Sequence, residues 1–212
     1  MNDNYEVAKR FWQSREDYPN YPNTLQRRFI DTSYVLPWVV DAKSLVDLGC
    51  GDGSMIIVLR EFTKINTFFA FDISQKLLDR LVVKYGNYED DAILIAKASD
   101  FTKSEFPKAD ATISMGSFLY VFEYEDLNNI LANIRSNTFI VRVPCTMKSQ
   151  DEYINTYSED LGSDYSAVYR TTSNYFSIFS KYFTKVHMER AYSDDIESKY
   201  GTKHYFFRCE RR

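Results

Sequence analysis

Three glycines and two carboxylates are packed into the stretch from Val46 to Ser54, which reads VDLGCGDGS. The apolar run from Ser44 to Leu48 predicts a buried strand, and the apolar spacing after the glycines predicts a helix. Glycine in such a turn permits positive φ and lets a ligand approach the backbone with no Cβ in the way. The helix that follows points its first amide groups at that ligand. The stretch therefore predicts a nucleotide-type cofactor site.

The glycine spacing separates two classes of cofactor. A dinucleotide-binding turn has the pattern G-x-G-x-x-G, and its last glycine would fall where this chain has Ser54. Asp47 precedes the turn, and a carboxylate there can accept hydrogen bonds from an ammonium group. The pattern favours a cofactor with an amino-acid tail. A nicotinamide-dependent oxidoreductase is the alternative, since it would share the strand, the turn and a later acidic residue.

In this turn the sequence resembles the class I S-adenosylmethionine (SAM)-dependent methyltransferases. The resemblance is close from Asp47 to Gly53 and looser over the range from Asp41 to Val143. It implies that SAM is the cofactor, with S-adenosylhomocysteine (SAH) as its product, and that the turn packs against the methionine part. The implied contacts are Asp47, Gly49, Cys50, Gly51 and Gly53. Cys50 is then a small residue in a tight turn and not a nucleophile.

Residues at later strand ends are candidates for the adenosine part of the cofactor. Asp72 ends the second predicted strand, about 20 residues after the turn, where Rossmann-type folds place an acid on the ribose. Ile73 would then lie beside the adenine. The resemblance implies the same region for Ser99, Asp100 and Phe101, with Asp100 accepting from the adenine amine. The alternative for both aspartates is to cap the turn or helix that follows them.

The methyl group should lie at the end of the fourth predicted strand, next to Met115. The candidates for acceptor binding or catalysis are Tyr120, Glu123, Tyr169, Arg170 and His187. A place at a helix edge is an equal alternative for Glu123. His187 and His204 lie in late predicted strands with no evident carboxylate or nucleophile beside them, so a structural role is expected for both.

Residues 1–40 are expected to form an N-terminal helical lid or extension on a methyltransferase domain of residues 41–212. Related small-molecule enzymes place an aromatic and a basic residue from the N-terminal helix over the cofactor. Trp12 and Arg15 are the matching positions here, with Arg15 pairing the SAM carboxylate. The alternative is that Trp12 packs under the lid and Arg15 faces solvent.

The elements that must position these residues alternate between strand and helix, which predicts an α/β fold. We expect a Rossmann-like, doubly wound, mostly parallel seven-stranded sheet with helices on both faces. Ser74 should cap one helix and Gly86 should end it. The range from Tyr153 to Tyr169 is expected to be helix and loop. The runs from Phe183 to Arg190 and from His204 to Glu210 should form a C-terminal antiparallel hairpin.

Composition limits the partners. The net charge is −4 with no long basic run, so no nucleic-acid partner is expected. No stretch of about 18 apolar residues is present, so no membrane span is expected. Cys50, Cys145 and Cys209 are odd in number and far apart, and the N-terminus lacks the apolar core of a secretory signal, which together predict a cytoplasmic protein. No metal-ligating cluster is evident, so no metal is expected.

The expected reaction is an in-line transfer of the SAM methyl group to an oxygen or nitrogen atom. The expected acceptor is a polar small molecule, such as a sugar derivative or another metabolite, because the extra segments around the core are short and no basic face is present. The sequence after the fourth strand lacks an Asn/Asp-Pro-Pro-Tyr motif, which lowers the expectation of base methylation. The alternatives are an RNA or protein acceptor and a SAM-binding module without turnover. The sequence gives no indication of the oligomeric state.

Overall fold

The computed structural model describes residues 3–14, 23–86, 92–116, 118–159, 161–197 and 201–211. Within these ranges the chain forms six α-helices and nine β-strands. The helices are α1 (Asp3–Ser14), α2 (Thr24–Val39), α3 (Ser54–Phe62), α4 (Gln75–Tyr85), α5 (Tyr124–Asn133) and α6 (Thr172–Phe179). The strands are β1 (Ser44–Leu48), β2 (Thr67–Asp72), β3 (Ile93–Ala98), β4 (Ala111–Ser114), β5 (Thr138–Thr146), β6 (Glu152–Ser158), β7 (Ser163–Tyr169), β8 (Lys185–Arg190) and β9 (Thr202–Glu210). Among the helices described here, none is both long and apolar enough to cross a membrane.

Seven strands form one sheet in the order β3-β2-β1-β4-β5-β9-β8. The first five strands in this order are parallel, whereas β9 runs antiparallel to both β5 and β8. The predicted seven-stranded, mostly parallel sheet with a C-terminal antiparallel hairpin is confirmed. Its order reverses at β1, which pairs with β2 on one side and β4 on the other. A crevice therefore opens at the carboxyl ends of β1 and β4, where ligands bind in open α/β sheets.

Both faces of the sheet are covered because successive side chains of each strand point to opposite sides. Val46 and Leu48 pack into one core cluster with residues of α1, α5 and α6. Leu45 packs into the other cluster with residues of α2, α3 and α4. The central strands are therefore apolar on both sides, as expected for a buried parallel sheet.

Helix α4 shows how local sequence sets an element. The Ser74 hydroxyl accepts a hydrogen bond from the Leu77 amide at 3.4 Å, and Gly86 follows the last helical residue. Both predicted helix boundaries are confirmed. The start of α4 is thereby fixed just beyond the carboxyl end of β2.

The prediction of helix and loop between Tyr153 and Tyr169 is wrong. This range forms most of a second, two-stranded antiparallel sheet of β6 and β7, with Glu152 opposite Tyr169 and Ser158 opposite Ser163. Gly162 supplies the positive φ of the turn, +63°. Side chains alternate along β6, and Tyr153 and Tyr157 are 69% and 61% exposed. This period of two indicates a strand, but tyrosines on the solvent side obscured it.

A buried charged cluster fixes α2 on the sheet. Arg142 of β5 forms an ion pair with Asp31 of α2, and the two side chains are 14% and 7% exposed. Arg142 also donates to the Tyr192 hydroxyl, which in turn donates to Asp31 Oδ1 at 2.8 Å. Arg142 Nη2 donates to the carbonyl oxygen of Met115 at 2.5 Å. One guanidinium thus joins α2, β5 and the end of β4.

Replacing Arg142 by alanine should lower the free energy of unfolding by about 3–5 kcal/mol, because Asp31 would stay buried without its partner. Urea unfolding followed by circular dichroism measures the loss. Lys64→Ala is the matched control, since the ion pair between Lys64 and Asp41 is exposed and its loss should leave stability nearly unchanged. Equal losses in the two variants would contradict this role of Arg142.

Candidate cofactor and acceptor site

A cavity of about 1020 Å³ lies at the carboxyl ends of the parallel strands. Its walls come from the β1–α3 turn, the segment after β4 and the end of β5. Residues of α1, α2 and the β6–β7 hairpin complete the walls, together with the start of β9. The cavity therefore joins the predicted cofactor turn to elements that sequence analysis assigned to a lid or to structure.

The glycine turn is in close contact with the segment after β4. Gly49 has φ +76°, and a Cβ at this position would lie 2.8 Å from Cδ1 of Phe118. A Cβ on Gly116 would lie 2.7 Å from the Gly49 carbonyl oxygen. Both contacts are too short for any larger residue, so glycine is required on both sides. The turn and the β4 segment consequently form one continuous wall of the cavity.

Asp47 is a buried carboxylate at the cavity, without a hydrogen-bond donor or a cation beside it among the described residues. Its residue is 3% exposed and it lines the cavity. Among the residues that the structure describes, none donates a hydrogen bond to this carboxylate or forms an ion pair with it. Burial, together with the nearby charge of Asp72, raises the pKa of Asp47 to about 8. A cationic ligand group in the cavity would stabilise the ionised form.

Asp72 supports the glycine turn from the neighbouring strand. Its Oδ2 accepts from the Gly51 amide at 2.8 Å, and its Oδ1 accepts from the Ser74 amide at 2.9 Å. Burial raises the pKa of this carboxyl group. The structure thus places Asp72 in the turn-capping role, and Asp72 is not among the residues that line the cavity. Contact of Asp72 with a ribose stays a prediction.

Ser99 follows β3 next to this point. Its amide donates to the Asp72 carbonyl oxygen at 2.8 Å. Its hydroxyl oxygen is buried and has no hydrogen-bond partner among the described residues. A buried hydroxyl without a hydrogen-bond partner destabilises the folded state. Ser99 is not among the residues that line the cavity, and its contact with the cofactor stays a prediction.

Asp100 holds helix α1 on the sheet. It accepts hydrogen bonds from the Tyr5 hydroxyl at 2.9 Å and from Lys9 Nζ at 3.2 Å. Burial alone would raise the pKa of Asp100, but hydrogen bonds from Thr102, Tyr5 and Lys9 lower it. Its oxygens are therefore used by the protein, and an adenine contact stays a prediction.

The predicted cofactor residues fall into three groups. Those on the cavity wall are Asp47, Gly49, Cys50, Met115 and Trp12. Those that are not among the lining residues of the cavity are Gly51, Gly53, Asp72, Ile73, Ser99, Asp100 and Phe101. Arg15 lies outside the described residues. Burial, together with the Asp47 charge, raises the pKa of the Cys50 thiol, so this residue is no nucleophile.

Two of the catalytic candidates belong to a tyrosine cluster on the wall. Tyr120 and Tyr169 line the cavity with Tyr165, and the ring of Tyr120 lies 5.8 Å from that of Tyr169 and 6.3 Å from that of Tyr165. The hydroxyls of Tyr165 and Tyr169 are hydrogen-bonded. Burial raises the pKa of both phenols, which are therefore neutral near pH 7. Sequence reasoning missed Tyr165 because its strand was expected to be helix or loop.

The other three candidates do not line the cavity. Glu123 accepts a hydrogen bond from Asn4 Nδ2 at 2.7 Å. Arg170 is buried and donates to the Phe122 carbonyl oxygen at 2.6 Å. His187 is exposed on β8. The contacts of Glu123 and Arg170 join separate segments of the chain, and the structure does not bring any of these three candidates to the cavity wall.

Three polar residues that sequence reasoning missed as site residues do line the cavity: Asp31, Arg142 and His204. Asp31 and Arg142 pair over 111 positions of sequence, which no local pattern reveals. His204 was expected to be structural, but β9 runs antiparallel and therefore begins at the carboxyl edge of the sheet. In the part of the chain described, no group of three or more His, Cys, Asp or Glu side chains is placed to hold a metal ion.

Residues 45–138 match the family of methyltransferase domains. The curated proteins give no significant match. Among solved structures, a 1,6-didemethyltoxoflavin-N1-methyltransferase from Burkholderia thailandensis is 12% identical, with a TM-score of 0.75 over 100% of this chain and 90% of its own. The magnesium protoporphyrin IX methyltransferase of Synechocystis PCC 6803 is 14% identical, with a TM-score of 0.67 over 100% of this chain and 99% of its own.

The geranyl diphosphate C-methyltransferase of Streptomyces coelicolor A3(2) has a TM-score of 0.68 at 10% identity and covers 99% of this chain and 98% of its own. At these identities the structural likeness establishes the fold. The family match adds the methyltransferase domain to that fold. Residues 45–138, less than half of the chain, thus match a methyltransferase domain within a fold that the chain shares with SAM-dependent methyltransferases.

Because the pKa of Asp47 is raised in the folded state, the unfolded chain binds fewer protons than the folded chain between about pH 4 and about pH 8. The stability of the wild type should therefore fall across this range relative to Asp47→Asn, with a slope of at most about 1.4 kcal/mol per pH unit. Denaturant unfolding at a series of pH values measures the difference. Asp79→Asn, which removes an exposed carboxylate, is the control variant. If the free energy of unfolding of Asp47→Asn changed with pH in the same way as that of the wild type, Asp47 would not be the uncompensated carboxylate described here.

Proposed function

We propose that this chain transfers the methyl group of SAM to an oxygen or nitrogen atom of a polar small molecule, such as a sugar derivative or another metabolite. The observation that carries the proposal is the buried carboxylate of Asp47 at the glycine turn, which lines the cavity and has no partner among the described residues. The amino-acid tail of SAM brings an ammonium group of the charge that this carboxylate requires. This contact would pair a charge of the protein with an opposite charge of the ligand.

The remaining cofactor contacts are proposed from the wall and from residues that do not line the cavity. The backbone of Gly49 and Cys50, with Met115, would contact the methionine part. Asp72 would contact the ribose, and the Ser99 hydroxyl, which has no partner among the described residues, would contact the adenine. SAM supplies a methyl group on a positively charged sulfur, which is already activated for transfer.

The protein's own contribution is to align the acceptor and to exclude water. Helix α1 packs against β7, and Tyr5 and Lys9 of this helix donate hydrogen bonds to Asp100. Helix α1 and the β6–β7 hairpin thus cover one side of the cavity. Trp12 of this helix lies on the cavity wall. These contacts support residues 1–40 as a lid on a domain of residues 41–212.

The acceptor is proposed to be small because of the cavity. A volume of about 1020 Å³ is near the upper end of what small-molecule sites have. Helices α1 and α2 and the hairpin approach it from several sides, which leaves little room for a protein surface or a nucleic acid. The structural neighbours reported above are also named for small acceptors. The family match argues against a nicotinamide-dependent oxidoreductase.

Calorimetric titration should show binding of SAM and SAH but not of NAD. If Asp72 contacts the ribose, 2′-deoxy-SAH should bind the wild type roughly 5- to 150-fold more weakly than SAH, as expected for a lost hydrogen bond of about 1–3 kcal/mol. The same comparison in Asp72→Ala should show a much smaller difference. Equal ratios in both proteins would place Asp72 in the turn alone, and tight binding of NAD would overturn the cofactor assignment.

Turnover separates an enzyme from a SAM-binding module. Incubation with methyl-deuterated SAM and a crude metabolite extract should yield a small molecule with a labelled methyl group, detected by mass spectrometry. Label that enters only RNA or protein would contradict the acceptor class. If SAM binds but no labelled product forms, the chain would be a SAM-binding module without turnover, which would contradict the proposed reaction.

A further inference from the structure

His204 and Glu197 form a buried pair at the cavity. Nδ1 of His204 lies 2.9 Å from Oε2 of Glu197, and Oε1 of Glu197 accepts the His204 backbone amide at 2.7 Å. The two side chains are 11% and 1% exposed. The bond from the backbone amide holds the carboxylate beside His204, and the bond at Nδ1 orients the imidazole ring toward it. A ring held in this way has one defined tautomer, with the proton on Nδ1.

The second ring nitrogen is left free by this arrangement. Within the described ranges no residue forms a hydrogen bond with Nε2 of His204, and the residue lies on the cavity wall. A histidine accepts a proton through such a lone pair. A carboxylate that is hydrogen-bonded to the opposite nitrogen orients the ring and stabilises the imidazolium that forms. The contact with Glu197 therefore leaves the basic nitrogen available to a ligand.

The sheet places this nitrogen near the expected methyl position. His204 lies opposite Pro144 near the end of β5, and β5 pairs with β4 up to Ser114. Two strand spacings, roughly 10 Å, separate β9 from β4. An imidazole side chain and one acceptor atom can span this gap. The acceptor would then lie between the end of β4 and His204.

The groups around the ring come from several elements. Glu197 contacts Nδ1, and the Tyr192 ring lies 5.4 Å from the imidazole. The positive charges of Arg142 on β5 and Arg27 on α2 also lower the pKa of His204. Asp31 forms an ion pair with Arg142. Burial lowers the pKa of His204 although Glu197 opposes this, so the ring is neutral near pH 7.

We propose that the acceptor of this methyltransferase is a hydroxyl compound and that His204, positioned by Glu197, is its general base. The proposal rests on the proposed methyl transfer and deepens it. An amine needs only to arrive unprotonated, whereas an alcohol or phenol must lose a proton as it attacks. A fixed, neutral imidazole on the cavity wall has a use in the second reaction and none in the first.

The atoms balance in a single step. The hydroxyl proton passes to Nε2 of His204 while an oxygen lone pair forms the new C–O bond. The S–C bond breaks, its electron pair stays on sulfur, and SAH results. The imidazolium then returns its proton to solvent, with Glu197 stabilising its charge until it does so.

The test compares conservative variants on defined probes and on the extract. Paired probes carry a hydroxyl or an amine on the same ring, such as catechol with 1,2-diaminobenzene and glucose with glucosamine. His204→Asn keeps a donor for Glu197 but has no basic nitrogen, Glu197→Gln weakens the positioning contact, and His187→Asn controls for loss of the other histidine. Imidazole NMR of the SAH complex is the readout that does not require turnover, because the chain has two histidines.

The expected product carries its label on oxygen. His204→Asn should lower kcat about 100- to 10,000-fold with KM nearly unchanged, and added imidazole should restore part of the rate. The rise of wild-type kcat with pH should be absent in this variant, and His187→Asn should behave as wild type. Glu197→Gln should lower kcat less and move the midpoint of the profile. NMR should show a neutral His204 ring with its proton on Nδ1 near pH 7.

Each contrary outcome has a distinct meaning. A product labelled on nitrogen, an unchanged kcat in His204→Asn, or a protonated His204 ring near pH 7 would overturn this inference and leave the proposed methyl transfer intact. A product labelled on carbon would contradict both. If neither the probes nor the extract yields a labelled product, the proposed function fails, and the role of His204 fails with it.

Discussion

The carboxylate of Asp47 is the constraint on which the site depends. It lies on β1, the strand at which the order of the sheet reverses, and it is buried beside a turn that has no donor for it. An unpaired buried acid destabilises the folded chain in its ionised form, so a sequence selected for stability alone would not place it there. The cost is understandable if a ligand supplies the missing positive charge. The glycines around it serve the same end, because they let that ligand approach the backbone.

The segment after β4 joins the glycine turn to the side of the cavity that we propose for the acceptor. Gly116 packs on the Gly49 carbonyl, and the Met115 carbonyl accepts a hydrogen bond from Arg142. Arg142 in turn holds Asp31 of α2. A shift of the glycine turn therefore cannot leave the acceptor wall unchanged. We expect the two halves of the cavity to be stabilised together.

The central sheet and the cofactor turn could be predicted because their signals are local. Buried parallel strands are short apolar runs, and the glycine turn between β1 and α3 is contiguous in sequence. The acceptor side depends on contacts between distant residues. Tyr5 and Asp100 are 95 positions apart, and Asp31 and Arg142 are 111 positions apart. His204 reaches the cavity only because β9 runs in the opposite direction to β5, which no pattern within β9 indicates.

Calorimetry of SAH binding near pH 7, in buffers that differ in their enthalpy of ionisation, tests the central claim most directly. With a pKa of about 8, Asp47 is largely protonated before binding and must ionise to pair with the ammonium group of the ligand. The wild type should therefore release close to one proton, roughly 0.9 by linkage, and Asp47→Asn should release none and bind more weakly. Binding without proton release in the wild type, or the same release in both proteins, would contradict the account.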